Sequence, residues 1–582
     1  MKFNLAFLWV CLSVLGMAGC SGGSSSFDAA DTSDASEQSI PVLVDLGPGC
    51  EFSSAETSEI TGKITFDRVP LDTGGALDFP LTTRQPARRV LVEALCDTEV
   101  EAVCDGVPQT VTCSGALSFT ATNELGNYTL QAPVGVPDIV IRARAQMYQV
   151  GTPGWDVKVL DEQQAAELVF AINSSPFNVS TTPVTLNLHA RSGSDGTSYT
   201  SARIAAPFAI LDTVYKSMQL VMQANPSAVF PPLKVKWSTT SSDGSFYSDR
   251  TKTITLLGSL TDTDEFDEHV VAHEWGHYFQ DAFSRDDSIG GPHSGGDILD
   301  IRVAFSEGFG NAFSAMVLGD PIYRDSQGLT AGFSINIENN NCNIYSVDDV
   351  DGWYNECSVQ SVLYDLYDIS NEGGFDIFDL GFDEIYQVLV DADKLRDSDA
   401  FTSLFSFINA FKRLPAMDGL ETSVDNLLNE QSINVSIIDG YGTGATAAGG
   451  GSNIPTPPYL PGADVFSGVE EVCSSGRNGG YNGLGVSRYV SFSVPSSTNY
   501  TITAQRATGL NPADPDMYLY HKGELLAVAE TWRADTDSLS ASLQVDKEYV
   551  LEVREYGYTD PSYDPTATGA TNTTCFTVTR TP

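Results

Sequence analysis

The sequence predicts a multidomain protein: an N-terminal all-β sandwich, a central α+β unit of two lobes, and a C-terminal all-β sandwich. Three observations carry this. A chain of 582 residues exceeds what one hydrophobic core supports. Between Glu59 and Leu188, and again beyond Gly462, apolar and polar residues alternate over short segments, the two-residue period of half-buried strands. Between these regions the period lengthens to that of amphipathic helices, as in Val270 to Phe283 and Ile301 to Leu318.

Composition narrows the function classes. With 31 basic and 76 acidic residues the formal charge is −45, which repels nucleic acid and anionic membrane surfaces. At the N-terminus, Lys2 precedes an apolar run from Leu5 to Leu15 and then Gly16-Met17-Ala18-Gly19-Cys20. This resembles a bacterial lipoprotein signal over residues 1–20. The resemblance implies a lipidated Cys20 and a place in the bacterial cell envelope, at the outer membrane or cell surface. Residues 21–49, rich in Ser, Asp, Ala and Gly, read as a flexible tether. Of the ten cysteines, Cys11 leaves with the signal and Cys20 takes lipid, so eight remain, an even number that argues for disulfides. Cys342 with Cys357 and Cys473 with Cys575 are the expected pairs; Cys50, Cys96, Cys104 and Cys113 allow three connectivities.

Residues 50–190 form the first expected sandwich, with strands at Gly62 to Phe66, Arg89 to Leu95 and Val184 to Ala190. The run Gly126 to Pro133 leading into Asp138 to Ala145 resembles carboxypeptidase-regulatory and transthyretin-like sandwiches, which implies an accessory or substrate-presenting module. After a polar linker at 191–200, Ala206-Pro207 opens a helix whose Leu211, Val214, Tyr215, Met218 and Val221 share a face. Strands follow at Leu233 to Trp237, Ser245 to Tyr247 and Thr253 to Gly258.

The chemistry lies in Val270 to Phe283, which contains H-E-x-x-H at His273, Glu274 and His277. Residues four apart share a helix face, so the two imidazoles can meet one metal ion, here zinc. Glu274 lies beside the open coordination position without binding the metal, placed to accept a proton from water there. A third ligand is required. The histidine of H-E-x-x-H-x-x-G-x-x-H is missing, since Gln280 occupies the glycine position and no histidine follows in register. Glu307 is the only acid in the apolar run Ile301 to Leu318, and a carboxylate so placed needs a cation. Asn311, one turn later, is a candidate to orient a ligand histidine.

HEWGH followed by SEGFGN resembles the gluzincin peptidases of the thermolysin and fungalysin type. Over residues 200–435 the resemblance implies a zincin-type two-lobed metallopeptidase domain. His273, His277 and Glu307 would then be zinc ligands and Glu274 the general base, with Asn311 where the family carries aspartate. It further implies protein or peptide substrates, held by an edge strand at Gly244 to Tyr247 or Thr253 to Gly258. The oxyanion in this family is met by a histidine or tyrosine. His293, in the Gly-rich loop Ser284 to Asp297, competes for that task with Tyr354, Tyr364 and Tyr367. Glu356, at the start of the next helix, receives no role. The acidic clusters Asp262 to Glu268 and Asp348 to Asp351 can bind calcium, although in so acidic a chain a solvated face is the plainer reading.

Beyond a Gly/Ala/Pro linker at 440–462, residues 463–582 form the second sandwich. Asp514 to Tyr520 and Lys547 to Gly557 resemble the bacterial pre-peptidase C-terminal domain. The sequence thus reads as a zinc endopeptidase of extracellular or periplasmic proteins; the alternative is a non-catalytic adhesin or binding lipoprotein on a peptidase scaffold.

Overall fold

The computed structural model describes residues 40–164, 168–242, 244–338, 351–368, 378, 380–433, 439–443, 459–460, 469–478, 480–532, 534–560, 562, 564 and 572–582. The expected lipidation at Cys20, the tether to residue 39, Cys342, residues 348–350 and most of the 440–462 linker lie outside them. The described chain is a multi-sheet, mostly β protein that divides into two compact units. One runs to Tyr278 and includes 324–334; the other comprises Phe279 to Tyr323 and the chain from Ile335.

In the first unit seven strands of a nine-stranded sheet follow the order Cys50–Phe52, Val90–Cys104, Val140–Gln149, Trp155–Asp161, Leu233–Trp237, Thr253–Leu256, Phe246–Ser248, while Val107–Ala121 pairs with Val90–Cys104 and Ala171–Asn173 with Val140–Gln149 off this path. A five-stranded sheet centres on Thr57–Arg68. The strands form where the sequence alternates: Asn127–Pro133 buries Tyr128, Leu130 and Ala132 and exposes the residues between. Cys50 pairs with Cys104 and Cys96 with Cys113, which settles the connectivity of the first four cysteines.

The expected boundary at 191–200 does not separate two sheets. Trp155–Asp161 pairs in parallel with Leu233–Trp237, Val159 opposite Val235, so one sheet runs across it. A polar stretch marks an exposed connection, and it carries no information about which strand edges later meet. Parallel partners need a long crossover, and helix α1 (Ala206–Ala224) lies within it. All five residues of its expected face are buried. On α1, Asp212 receives Arg68 at 3.2 Å and Arg88 at 2.7 Å, while Arg68 also lies 3.2 Å from Glu268, the first residue of helix α2 (Glu268–Phe283). The N-terminal strands are therefore fastened to both helices rather than forming a detachable module.

The second unit contains helices α3 (Ile301–Leu318) and α4 (Glu356–Asp365), three further helices (Phe382–Val390, Leu404–Phe411, Glu421–Glu430), and the C-terminal sandwich. Helix α3 starts at an Asp300 cap that accepts from the Arg302 amide and stops at Gly319 in the left-handed conformation. Two four-stranded sheets make the sandwich, and Val490, Ile502, Met517, Leu551 and Phe576 lie in the core between them. Cys473 and Cys575 are disulfide-linked, as expected, and Cys357 is also disulfide-bonded.

The sandwich is seated directly on the segment before α3. Asn482 O accepts from the Asp300 amide at 2.7 Å, the Leu484 amide donates to Ile298 O at 3.0 Å, and Asn482 Nδ2 donates to Pro292 O at 2.9 Å. Beneath this clasp Arg302 is buried, reaching Asp300 at 3.0 Å and Glu552 at 3.1 Å, with its guanidinium over the rings of Phe401 and Tyr489.

Candidate metal centre

Helix α2 is positioned by its own aromatic residues. The Trp275 ring lies 6.0 Å from Phe230, the Tyr278 ring 6.0 Å from Tyr247, and Tyr278 Oη donates to Pro231 O at 2.6 Å. On this helix the Nε2 atoms of His273 and His277 stand 3.0 Å apart. His273 and Glu274 are both buried. His269, one turn earlier, is also buried at 4% exposure.

The last turn of α2 is seated on α3. Phe279 stacks on Phe313 at 5.8 Å and on Phe309 at 6.2 Å, and Ser306 Oγ donates to Gln280 Oε1 at 3.3 Å. Glu307 follows Ser306 on α3 and is buried. One ligand atom from each of His273, His277 and Glu307 lies within 4.8 Å of the others. This set fits zinc: two imidazoles and one carboxylate leave a fourth position open, and bonds of about 2.0–2.1 Å in a tetrahedron put donors roughly 3.3 Å apart. The 3.0 Å between the ring nitrogens is close to that spacing.

His293 is held beside Glu307. Its Nδ1–H donates to Gly291 O at 3.0 Å, and its Nε2 lies 3.3 Å from Glu307 Oε2 and 3.4 Å from Glu356 Oε2. Burial pushes this imidazole toward the neutral form, but Glu307 and then Glu356 outweigh it and hold the pKa well above the usual histidine value. His293 thus lies between two carboxylates, and its loop is braced. A Cβ on Gly291, which has φ +108°, would meet Tyr481 Oη at 2.3 Å.

Glu356 is the residue that sequence reasoning passed over. It opens α4 just after Asn355, whose side chain caps the Cys357 and Ser358 amides, and an acid there reads as ordinary helix-terminus chemistry. What brings it to His293 is the close approach of α4 to α3 at Gly308. A Cβ on Gly308 would meet Val359 Cβ at 2.6 Å and Glu356 O at 2.8 Å. Gly308→Ala is expected to cost about 1–3 kcal/mol of stability. Zinc content should fall with it, because Glu307 is the neighbouring residue; a melting curve and metal analysis on the same sample check both.

The competing tyrosines are engaged elsewhere or simply buried. Tyr354 Oη donates to Asp351 O and Tyr367 Oη to Met316 O, each at 3.2 Å, and burial raises the Tyr364 phenol. Asn311 is buried one turn beyond Glu307, and its carbonyl accepts from Ser314 Oγ at 2.7 Å. Of the two candidate substrate strands, Phe246–Ser248 is the sheet edge and Thr253–Leu256 is interior. The first acidic cluster is no solvated face: Asp264, Glu265 and Asp267 are all at most 3% exposed.

Residues 219–405 match the family described as Mycolysin C-terminal domain. No curated protein matches the chain. Among solved structures, the chain is similar to the pre-peptidase C-terminal domain of a collagenase from Bacillus anthracis. Identity is 13%, covering 19% of this chain and 88% of that one, with a TM-score of 0.14. It is also similar to PliG, a periplasmic inhibitor of g-type lysozyme from Aeromonas hydrophila, at 9% identity over 21% of this chain and 94% of that one, TM-score 0.13. TM-scores so low carry no argument about the fold. The family match spans His273, His277, His293, Glu307 and Glu356, and it relates this part of the chain to a peptidase family.

Proposed function

We propose that the chain is a gluzincin-type zinc endopeptidase, anchored through a lipid on Cys20 in the cell envelope and acting on extracellular or periplasmic proteins. The observation that carries the reading is the convergence of His273, His277 and Glu307. These three residues would hold the zinc, and Asn311 would help orient them. Bound there, zinc supplies Lewis acidity and makes water a competent nucleophile near neutral pH.

The remaining work falls to the protein's own side chains. An extended substrate adds to the exposed edge of Phe246–Ser248, whose Tyr247 packs on Tyr278 of the histidine helix. Glu274 takes a proton from the attacking water and returns it to the departing amine. His293, held beside Glu307, offers an N–H to the substrate oxyanion. The C-terminal sandwich serves as an accessory domain that braces the His293 loop.

Metal analysis of the purified full chain tests this reading. One zinc per chain is expected, with cleavage of an unfolded protein substrate blocked by 1,10-phenanthroline and restored by added zinc. Glu307→Gln should lose zinc at least tenfold more readily, since a neutral amide replaces an anionic ligand. A wild-type protein without zinc, or cleavage indifferent to chelation, would leave the scaffold as a binding lipoprotein.

A further inference from the structure

We propose that Asp262, Asp264 and Asp325, with Asp267 against them, hold a calcium ion that fastens the start of the histidine helix, independently of any zinc. Asp264 opens the short 3-10 turn Asp264–Phe266, Asp267 follows it directly before α2, and Asp325 lies on the strand Ile322–Ser326. One carboxylate oxygen from each of Asp262, Asp264 and Asp325 lies within 4.8 Å of the others. These groups are not at the surface: Asp264 is 3% exposed, Asp267 0% and Asp325 7%, while Asp262 forms a more open rim.

Their hydrogen bonding is incomplete in a way that points to a cation. Asp264 Oδ2 accepts from Ser245 Oγ and Asp267 Oδ2 from the Ser326 amide at 2.5 Å. The other oxygens, Asp262 Oδ1, Asp264 Oδ1 and Asp267 Oδ1, are buried and receive no donor. The one acid of this stretch before α2 that has a cation is Glu265, paired with Arg203 at 2.6 Å; among the described residues no ion pair reaches the other four. Burial and mutual repulsion lift Asp264, Asp267 and Asp325 well above the usual carboxylate range and Asp262 to about 6. Buried anions without partners are costly, and a cation removes that cost.

The donors select calcium. All are oxygens, which disfavours zinc, and carboxylates within 4.8 Å of one another suit bonds of about 2.3–2.6 Å. Magnesium, with shorter bonds and retained water, fits a buried all-carboxylate cluster less well.

The test uses the full chain with zinc held at constant micromolar excess, and calcium or terbium as the probe. Calcium at about a hundred times its Kd is expected to raise the melting temperature by about 5 °C over chelator-treated protein. Terbium luminescence should report the same binding. Asp264→Asn should abolish both responses. Asp262→Asn, on the rim and able to fold, should weaken calcium binding at least tenfold. If the wild type shows neither a calcium-dependent shift nor terbium binding, or if both variants respond as the wild type does, the cluster shares protons instead and the site does not exist.

Discussion

Glu274→Gln is expected to lower the turnover number for protein cleavage by about 10²–10⁴-fold while zinc stays bound. The glutamine keeps the size and hydrogen-bonding reach of the native side chain but cannot accept a proton. Glu274 is buried on the same helix as the two histidines, and it is not one of the three convergent donors. Metal content should therefore match wild type, and KM for a quenched-fluorescence peptide should change little, because the loss is confined to the step in which water gives up its proton. Equal cleavage by the variant would remove Glu274 from the reaction, and loss of zinc would make it a ligand instead.

Arg302→Ala is expected to destabilise the second unit by about 3–5 kcal/mol, because it strands two buried carboxylates rather than deleting one favourable contact. Asp300, Arg302 and Glu552 are each at most 2% exposed. In the native protein, burial pushes the Glu552 pKa up, but Arg302 outweighs it and holds the group below its usual value. A depressed folded pKa contributes stability above the unfolded value, about 4.3, and that contribution disappears as pH falls through the folded one. Without the guanidinium, burial dominates and Glu552 titrates above its usual range. The penalty in the variant should thus be largest near pH 7 and shrink toward pH 4, where the Glu552 carboxyl takes up a proton. Urea unfolding of both proteins at the two pH values measures this, and a pH-independent penalty would count against it.

How far the sequence reaches can be judged from particular residues. His273 and His277 are legible because the spacing of a helix converts directly into a shared face. Glu307 is legible because a single acid in an apolar helix requires a reason. The strands of the C-terminal sandwich follow from two-residue alternation, and Cys473 and Cys575 from simple counting. The sheet that runs from Trp155–Asp161 into Leu233–Trp237 is not legible, since alternation says which face of a strand is buried and nothing about its neighbours. Asp264 and Asp267 are misread for a related reason: charge is visible in a sequence, but burial of charge is decided by segments far away, here by Ser326. Arg302 and Glu552, 250 positions apart, carry no local signal of their pairing.

The clasp between Asn482 and Pro292 bridges 190 positions of chain. A ribosome that has finished both helices of the proposed zinc centre has still to make the residues on which the loop between them rests. Support for His293 therefore arrives only 190 positions after its loop has been made, so a product terminated in between has both histidines of the pair and the distant glutamate but lacks the brace beside them.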